Sequence, residues 1–245
     1  MLYALVTGIL QYAPEEDKIN FVTIEGNIGV GKSTLITYLK AIFKSYPIVF
    51  IDEPVHEWEA AGFLQALYDG KMSATAFQNI ALSSVFAHMM AALNDAPNGT
   101  KLFIAERSID SNLQVFGKAS AADKFDLHAL EYVWNNTVLA LPSNIQYHRI
   151  MLKAFPAACM ARIKSRARDS ESAITQAYLQ KLHDLHGDWM YAETIQESPI
   201  DWHIIDAEQG KADVLAQASK IIIEILAKVQ PWRHYWITPD TSSNF

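Results

Sequence analysis

The chain has 245 residues, half of them hydrophobic, and a net charge of −7. That length and composition suit one globular domain with a sheet covered on both faces, and exclude a fibrous or largely disordered protein. The acidic balance argues against a nucleic acid polymer as partner, because polymer phosphates need a basic surface. The lone cysteine, Cys159, excludes an intrachain disulfide and a cysteine zinc cluster, and suits a reducing, cytoplasmic setting.

Residues 1–19 hold an apolar stretch, Leu2 to Leu10, with no basic residue ahead of Lys18. It is too short to span a bilayer and lacks the basic start of an export signal. It reads as an extension before the first strand, and no membrane partner is expected. Phe21–Ile24 is the first predicted strand. It leads into Gly26-Asn27-Ile28-Gly29-Val30-Gly31-Lys32-Ser33, which fits G-x-x-x-x-G-K-[ST], the phosphate-binding loop. Thr34 to Phe43 follows with apolar residues at helical spacing. Strand, glycine loop and helix are the context the motif requires. Glycines let backbone N–H groups face phosphate, Lys32 adds a point charge, and Ser33 offers a hydroxyl to Mg²⁺.

The second predicted strand, Ile48–Ile51, ends in Asp52-Glu53-Pro54. A carboxylate there is either a general base or an ordinary helix-start acid. A helix is predicted over 73–94, and in it Gln78, Ala81 and Val85 share one face. The third strand, Leu102–Ala105, ends in Glu106-Arg107. Glu106 takes the place where such proteins hold Mg²⁺, and Arg107 could steady phosphate charge; the plain alternative is a loop-shaping ion pair. Further helices are predicted over 123–140, 156–168, 174–195 and 211–228, with strands at Gln146–Met151 and His203–Ile205. Arg162, Arg166 and Arg168 form the densest basic cluster of an acidic chain. They read as a lid over 162–174 that closes on phosphates and excludes water, against the plain reading of a solvated face. His183 and His186 have no third ligand and read as structural. Residues 231–245 read as a surface tail. Strands alternating with helices predict an α/β fold: a five-stranded parallel sheet flanked by helices on both faces, with a helical arginine lid, in a single domain over 1–245. Ligands then bind beyond the carboxyl ends of the strands.

Several stretches in order, IEGNIGVGKST at 24–34, EPVHEW at 53–58, LY at 67–68, FQ at 77–78, ERSIDS at 106–111, RARDSE at 166–171 and YLQKLHDLHGDW at 178–189, resemble the deoxynucleoside kinase family. The resemblance covers about residues 20–206. It implies an enzyme that moves the γ-phosphate of ATP, with Mg²⁺, to the 5′-hydroxyl of a deoxynucleoside. Glu53 would be the base, with Arg107 and Lys32 at the transferring phosphate. Gly26, Asn27, Gly29, Val30, Gly31, Lys32, Ser33 and Thr34 would hold the donor with Arg162, Arg166 and Arg168, and Asp206 would lie by its adenine. Ser33 and Glu106 would serve Mg²⁺. Tyr68 and Glu171 would bind the 3′-hydroxyl, and Gln78 the base edge. Trp58, Phe77, Phe116, Ile28 and Ala81 would form the slot around the base. Val85 and Asn112 fall where the deoxycytidine and deoxyguanosine kinases carry Arg and Asp, so the pocket resembles the thymidine-accepting, broad-specificity insect type. A Gln amide that can turn over need not choose between pyrimidines. The helices predicted over 73–94 and 123–140 have apolar faces wide enough for a partner helix, and the pairing of subunits through helices of that region in the family implies a homodimer. The competing readings are a thymidylate-type kinase and a nucleotide-binding subunit without activity.

Overall fold

The structure, a computed structural model, describes residues 18–100, 102–168, 171–195 and 200–229. Most of the 1–19 extension and the 231–245 tail lie outside the described residues. Runs rich in β-branched and aromatic side chains form five strands: β1 (Ile19–Gly26), β2 (Ile48–Ile51), β3 (Leu102–Glu106), β4 (Ile145–Lys153) and β5 (Asp201–Asp206). They pair in parallel in the order β2-β3-β1-β4-β5. The register sets Ile24 of β1 opposite Glu106 of β3, so the phosphate loop and Glu106 leave the sheet side by side.

Helices connect the strands. In chain order they are α1 (Lys32–Ile42), α2 (Val55–Ala60), α3 (Phe63–Tyr68), α4 (Ala74–Asp95), α5, α6 (Lys124–Leu139), α7 (Pro156–Arg166), α8 (Gln176–Ile195) and α9 (Lys211–Val229). α5 runs through Ile109–Ser111, a widened π-helical stretch Asn112–Gly117, and Lys118–Ser120. The starts are locally encoded. The Ser73 side chain accepts the Ala76 N–H at the head of α4, and Asp123 accepts those of Phe125 and Asp126 at the head of α6. Pro156 opens α7, and Ala167 closes it in a left-handed turn at φ 48°. The long predicted helices form within two residues of their expected ends. α2, α3 and α5 were not anticipated. α4 is long and apolar enough to cross a membrane by length and composition; here Phe77, Gln78, Ala81, Leu82 and Met89 bury one side of it.

Alternating strand residues feed two cores, as a sheet covered on both faces requires. Val22, Ile24, Ile104, Ile150 and Leu152 pack with Leu35 and Leu39 of α1, Ile163 of α7 and Ile222 and Ile225 of α9. On the opposite face Phe21, Ile51, Phe103, Ala105 and Ile145 meet Met89 of α4. Phe21 and Phe103 stack with ring centres 5.7 Å apart.

Farther along that second face the core turns polar. Arg149 of β4 is fully buried, paired with Asp110 at 2.5 Å and Glu193 at 3.1 Å, with Glu25 at 3.9 Å. Its guanidinium lies 4.6 Å from the Trp189 ring centre and 5.5 Å from that of Trp202. Both indole N–H groups donate to Glu193, at 2.7 and 2.9 Å. Burial pushes the Asp110 carboxyl upward against the pull of Arg149, and the Glu193 charge adds to the push. This hub ties β1, β4, β5, α5 and α8 together directly behind the phosphate loop.

Candidate active site

The carboxyl ends of β1, β2 and β3 open into a cavity of about 630 Å³, a size typical of small-molecule sites. After β1 the chain turns through Gly26, Gly29 and Gly31, all at positive φ. A Cβ at Gly26 would lie 2.5 Å from the Leu152 carbonyl oxygen, and one at Gly29 would lie 2.7 Å from that of Cys159. At Gly31 a Cβ would meet nothing within 4 Å. The first two positions therefore need glycine for close approach as well as for φ, the third for φ alone. Gly31 caps α1, whose unpaired N–H groups and dipole make an anion site at the cavity wall.

Lys32 folds back over the loop, its Nζ 3.1 Å from the Asn27 oxygen and 3.3 Å from that of Gly26. Burial, then the neighbouring Arg107 charge, pull its ammonium down to about 8. An anion at this point would raise it again. Ser33 Oγ donates to Glu106 Oε1 at 2.9 Å. Burial and the Glu53 charge hold the Glu106 carboxyl above its usual range, against the Lys32 charge. Two hard oxygen donors beside an anion site suit Mg²⁺.

Arg107 is the junction of the site. It sits at φ 66°, a conformation uncommon outside glycine and typical of functional positions. Its backbone N–H bonds the Ile24 oxygen of β1 at 3.1 Å, which aims the side chain across the loop. Nη1 donates to the Gly26 oxygen at 3.0 Å, and Nε lies 3.0 Å from Glu53 Oε1 in an ion pair. The guanidinium also covers the Phe116 ring at 4.5 Å. Glu53, delivered by the end of β2, is thus held opposite the phosphate loop.

The far wall comes from α2, α4 and α5. Trp58 and Phe77 meet edge to face at 5.5 Å, and Trp58 Nε1 donates to Ser84. Gln78, Ala81 and Val85 line the cavity from α4, and Asn112 and Phe116 from α5. Asn112 Nδ2 donates to the Gln78 main-chain oxygen at 3.1 Å and to its Oε1 at 2.9 Å. Tyr68 also lines the cavity, its hydroxyl pushed up to about 12 by burial and by Tyr178 and Glu171 nearby. Arg166 and Arg168 both pair with Glu171, Arg166 Nε at 2.7 Å and Arg168 at 3.7 Å, so two arginines and an acidic cavity residue form one cluster.

The sequence-predicted residues converge here with five exceptions. Gly26, Asn27, Val30, Arg162 and Asp206 do not line the cavity. Asn27 braces the loop: Nδ2 donates to the Leu179 oxygen of α8, and Oδ1 accepts the Ile28 N–H, both at 2.8 Å. Arg162 differs most from the expectation of a lid cation. Its Nη1 donates to the Val30 oxygen at 2.7 Å and its Nη2 to the Ala207 oxygen at 2.6 Å, clamping the phosphate loop to the turn after β5. Asp206 is exposed and accepts the Glu208 N–H at 2.9 Å. Sequence reasoning missed Tyr178, which lines the cavity, bonds Ser120 and has its hydroxyl raised by burial. The signal was available, since Tyr178 opens the YLQKLHDLHGDW stretch.

A family model described as deoxynucleoside kinase matches residues 22–229. The chain belongs to the deoxynucleoside kinase family. Among curated relatives it is 29% identical over 210 residues to "Deoxycytidine kinase 2" of Gallus gallus, covering 74% of this chain and 77% of that one. It is 29% identical over 222 residues to a "Probable deoxycytidine kinase" of fowlpox virus, covering 83% and 88%. It is 27% identical over 214 residues to "Deoxyguanosine kinase, mitochondrial" of Xenopus laevis, covering 75% and 78%. The protein is therefore an enzyme that phosphorylates nucleosides, with ATP as donor and Mg²⁺. When bound, the metal ion neutralises developing phosphate charge; Ser33 and Glu106 are the oxygen donors that would hold it.

Proposed function

We propose that this kinase transfers the γ-phosphate of ATP to the 5′-hydroxyl of deoxyribonucleosides and prefers the pyrimidines thymidine and deoxycytidine. The observation that carries the reading is the Glu53–Arg107 ion pair, which stands between the phosphate loop and a slot walled by Trp58, Phe77 and Gln78. Glu53 takes the proton of the 5′-hydroxyl as its oxygen bonds to the γ-phosphorus and the bond to the ADP oxygen breaks. Lys32 and Arg107 face the transferring group, and Arg166 and Arg168 close over it. Tyr68 and Glu171 take the sugar 3′-hydroxyl. The aromatic walls suit a planar base, the Gln78 amide its hydrogen-bonding edge, and Val85 an apolar substituent. Exposed Phe125, Tyr132 and Leu139 on α6 support a homodimer through this helix. The single cysteine supports a cytoplasmic location, and residues 162–174 act as the lid of a single catalytic unit.

The test is to incubate the protein with Mg·ATP and each of thymidine, deoxycytidine, deoxyadenosine, deoxyguanosine and thymidine monophosphate, following ADP and monophosphate together. Faster turnover of thymidine and deoxycytidine, with the monophosphate inert, is the expected result. Turnover of the monophosphate alone would replace the proposal with a thymidylate-type kinase. No turnover of any nucleoside would remove the acceptor-site assignment.

A further inference from the structure

A glutamine side chain at the base edge presents one donor and one acceptor, and a 180° turn of its amide exchanges them. The N3/C4 edge of a 4-oxo pyrimidine is donor then acceptor; that of a 4-amino pyrimidine is acceptor then donor. A glutamine free to turn over would serve both. Gln78 is not free. Asn112 Nδ2 reaches its main-chain oxygen at 3.1 Å and its side-chain Oε1 at 2.9 Å, and both residues are buried.

The main-chain oxygen can only accept, so the asparagine must turn its NH₂ group, not its oxygen, toward Gln78. That group has two hydrogens. One goes to the main chain, and the other requires an acceptor on the Gln78 side chain. The side chain therefore keeps Oε1 toward Asn112 and Nε2 away from it. This polarity follows from hydrogen-bonding capacity alone and does not depend on how either amide is labelled. Turning Gln78 over would set two NH₂ groups against each other in a buried place, leaving a donor without a partner.

We propose that Asn112 is a specificity-determining residue: by fixing which way the Gln78 amide faces, it makes the pocket favour one donor–acceptor polarity and so ranks 4-oxo against 4-amino pyrimidines within the preferred pyrimidine class. The proposal rests on the reading that the base lies against Gln78. Asn112 acts here as a positioning residue, through Gln78.

Deoxyuridine and deoxycytidine differ only at the edge in question, so the ratio of their kcat/KM values isolates the effect. In the wild-type enzyme that ratio departs from one. Asn112→Ala releases the glutamine, and the ratio moves toward one by roughly the tenfold that a single hydrogen bond controls. Asn112→Asp offers only acceptance to the Gln78 side chain, whether or not its carboxyl takes a proton for the main-chain oxygen. Nε2 then turns to residue 112, and the order of the two substrates inverts. Lost packing alone would slow both substrates together and leave the ratio unmoved. Thermal melts of both variants confirm folding, and a folded Asp variant carries the test if the Ala variant unfolds. A ratio unchanged in a folded variant overturns the proposal. Gln78→Ala separates the two levels of failure. If it lowers turnover while the Asn112 variants leave the ratio alone, only the amide lock is wrong. If it changes neither substrate, the base does not lie against Gln78, and the site reading falls with the lock.

Discussion

Glu53 has the most exacting placement of any side chain in the site. It follows the short strand β2, and Arg107, at the end of the neighbouring strand β3, fixes its carboxylate. Glu53→Gln keeps the size and removes the proton acceptor. The expected outcome is a fall in kcat of about 10²- to 10⁴-fold, the usual worth of a general base, with ATP affinity unchanged. Single-turnover rates and nucleotide binding by calorimetry check this, and full activity would take Glu53 out of the mechanism. At this scale legibility depended on what each residue touches. Lys32, Ser33, Glu53 and Glu106 could be read because the strand-end pattern fixes where their side chains emerge. Arg162 could be read only as a cation, because its partners are main-chain oxygens of Val30 and Ala207, which leave no mark in the residue types. The polarity of Gln78 was hidden for the same reason. It is decided by a main-chain oxygen 34 positions away from Asn112 in sequence.

At the scale of elements, the phosphate loop and α7 fit without slack. Gly29 lies where a Cβ would meet the Cys159 oxygen at 2.7 Å and Ile163 Cγ1 at 2.8 Å, and neither α7 backbone nor buried isoleucine can move cheaply. Gly31 has positive φ and open space. Gly29→Ala should therefore lower stability by roughly 1–3 kcal/mol through overpacking, beyond the backbone strain both variants share. Gly31→Ala should show the strain alone. Urea melts of the pair decide it; equal losses would mean that α7 yields and the contact is not tight. The long helices were legible because apolar residues recur over several turns, and the strands because parallel sheets bury continuous runs. α2 and α3 are six residues each, too short for a period to show. α5 escaped because its π-helical middle widens the turn, so its buried residues do not keep helical spacing. Asn112 opens that stretch, so the least legible element carries the least legible contact.

For the whole molecule, two buried histidines set the response to acid. His148 shares a hydrogen bond with Asn20 at 3.1 Å and lies near Asp201, His203 and Lys228; burial pulls its imidazole down to about 4. His186 bonds the Leu182 oxygen at 2.7 Å, and burial, with the Arg107 charge, pulls it down to about 3. Both are neutral in the fold but take a proton in the unfolded chain below its ordinary value of about 6.5. The unfolded state then binds more protons, so stability falls as pH drops from 6.5 toward 4. Each histidine contributes roughly 1.4 kcal/mol per pH unit in that window, or about 3–6 °C in melting temperature. Glu106 and Asp110, whose carboxyls are raised, act in the opposite sense and gain stability as pH falls toward their unfolded values. His148→Gln keeps a donor for Asn20 and should flatten the melting-temperature profile between pH 6.5 and 5. A profile as steep as wild type would clear His148 of the effect.

The Arg149 hub has a consequence for how such a protein can change over generations. Losing the arginine alone would strand the buried carboxylates of Asp110, Glu193 and Glu25; losing one carboxylate would leave the arginine undercompensated. Either step costs about 3–5 kcal/mol, a large part of a domain's whole margin, whereas an apolar set of matching volume can be neutral. The viable fold with the hub and a viable fold without it are thus separated by a valley that single substitutions do not cross. Lineages should keep all of these positions or exchange them as a set, and an alignment in which they vary independently would refute that.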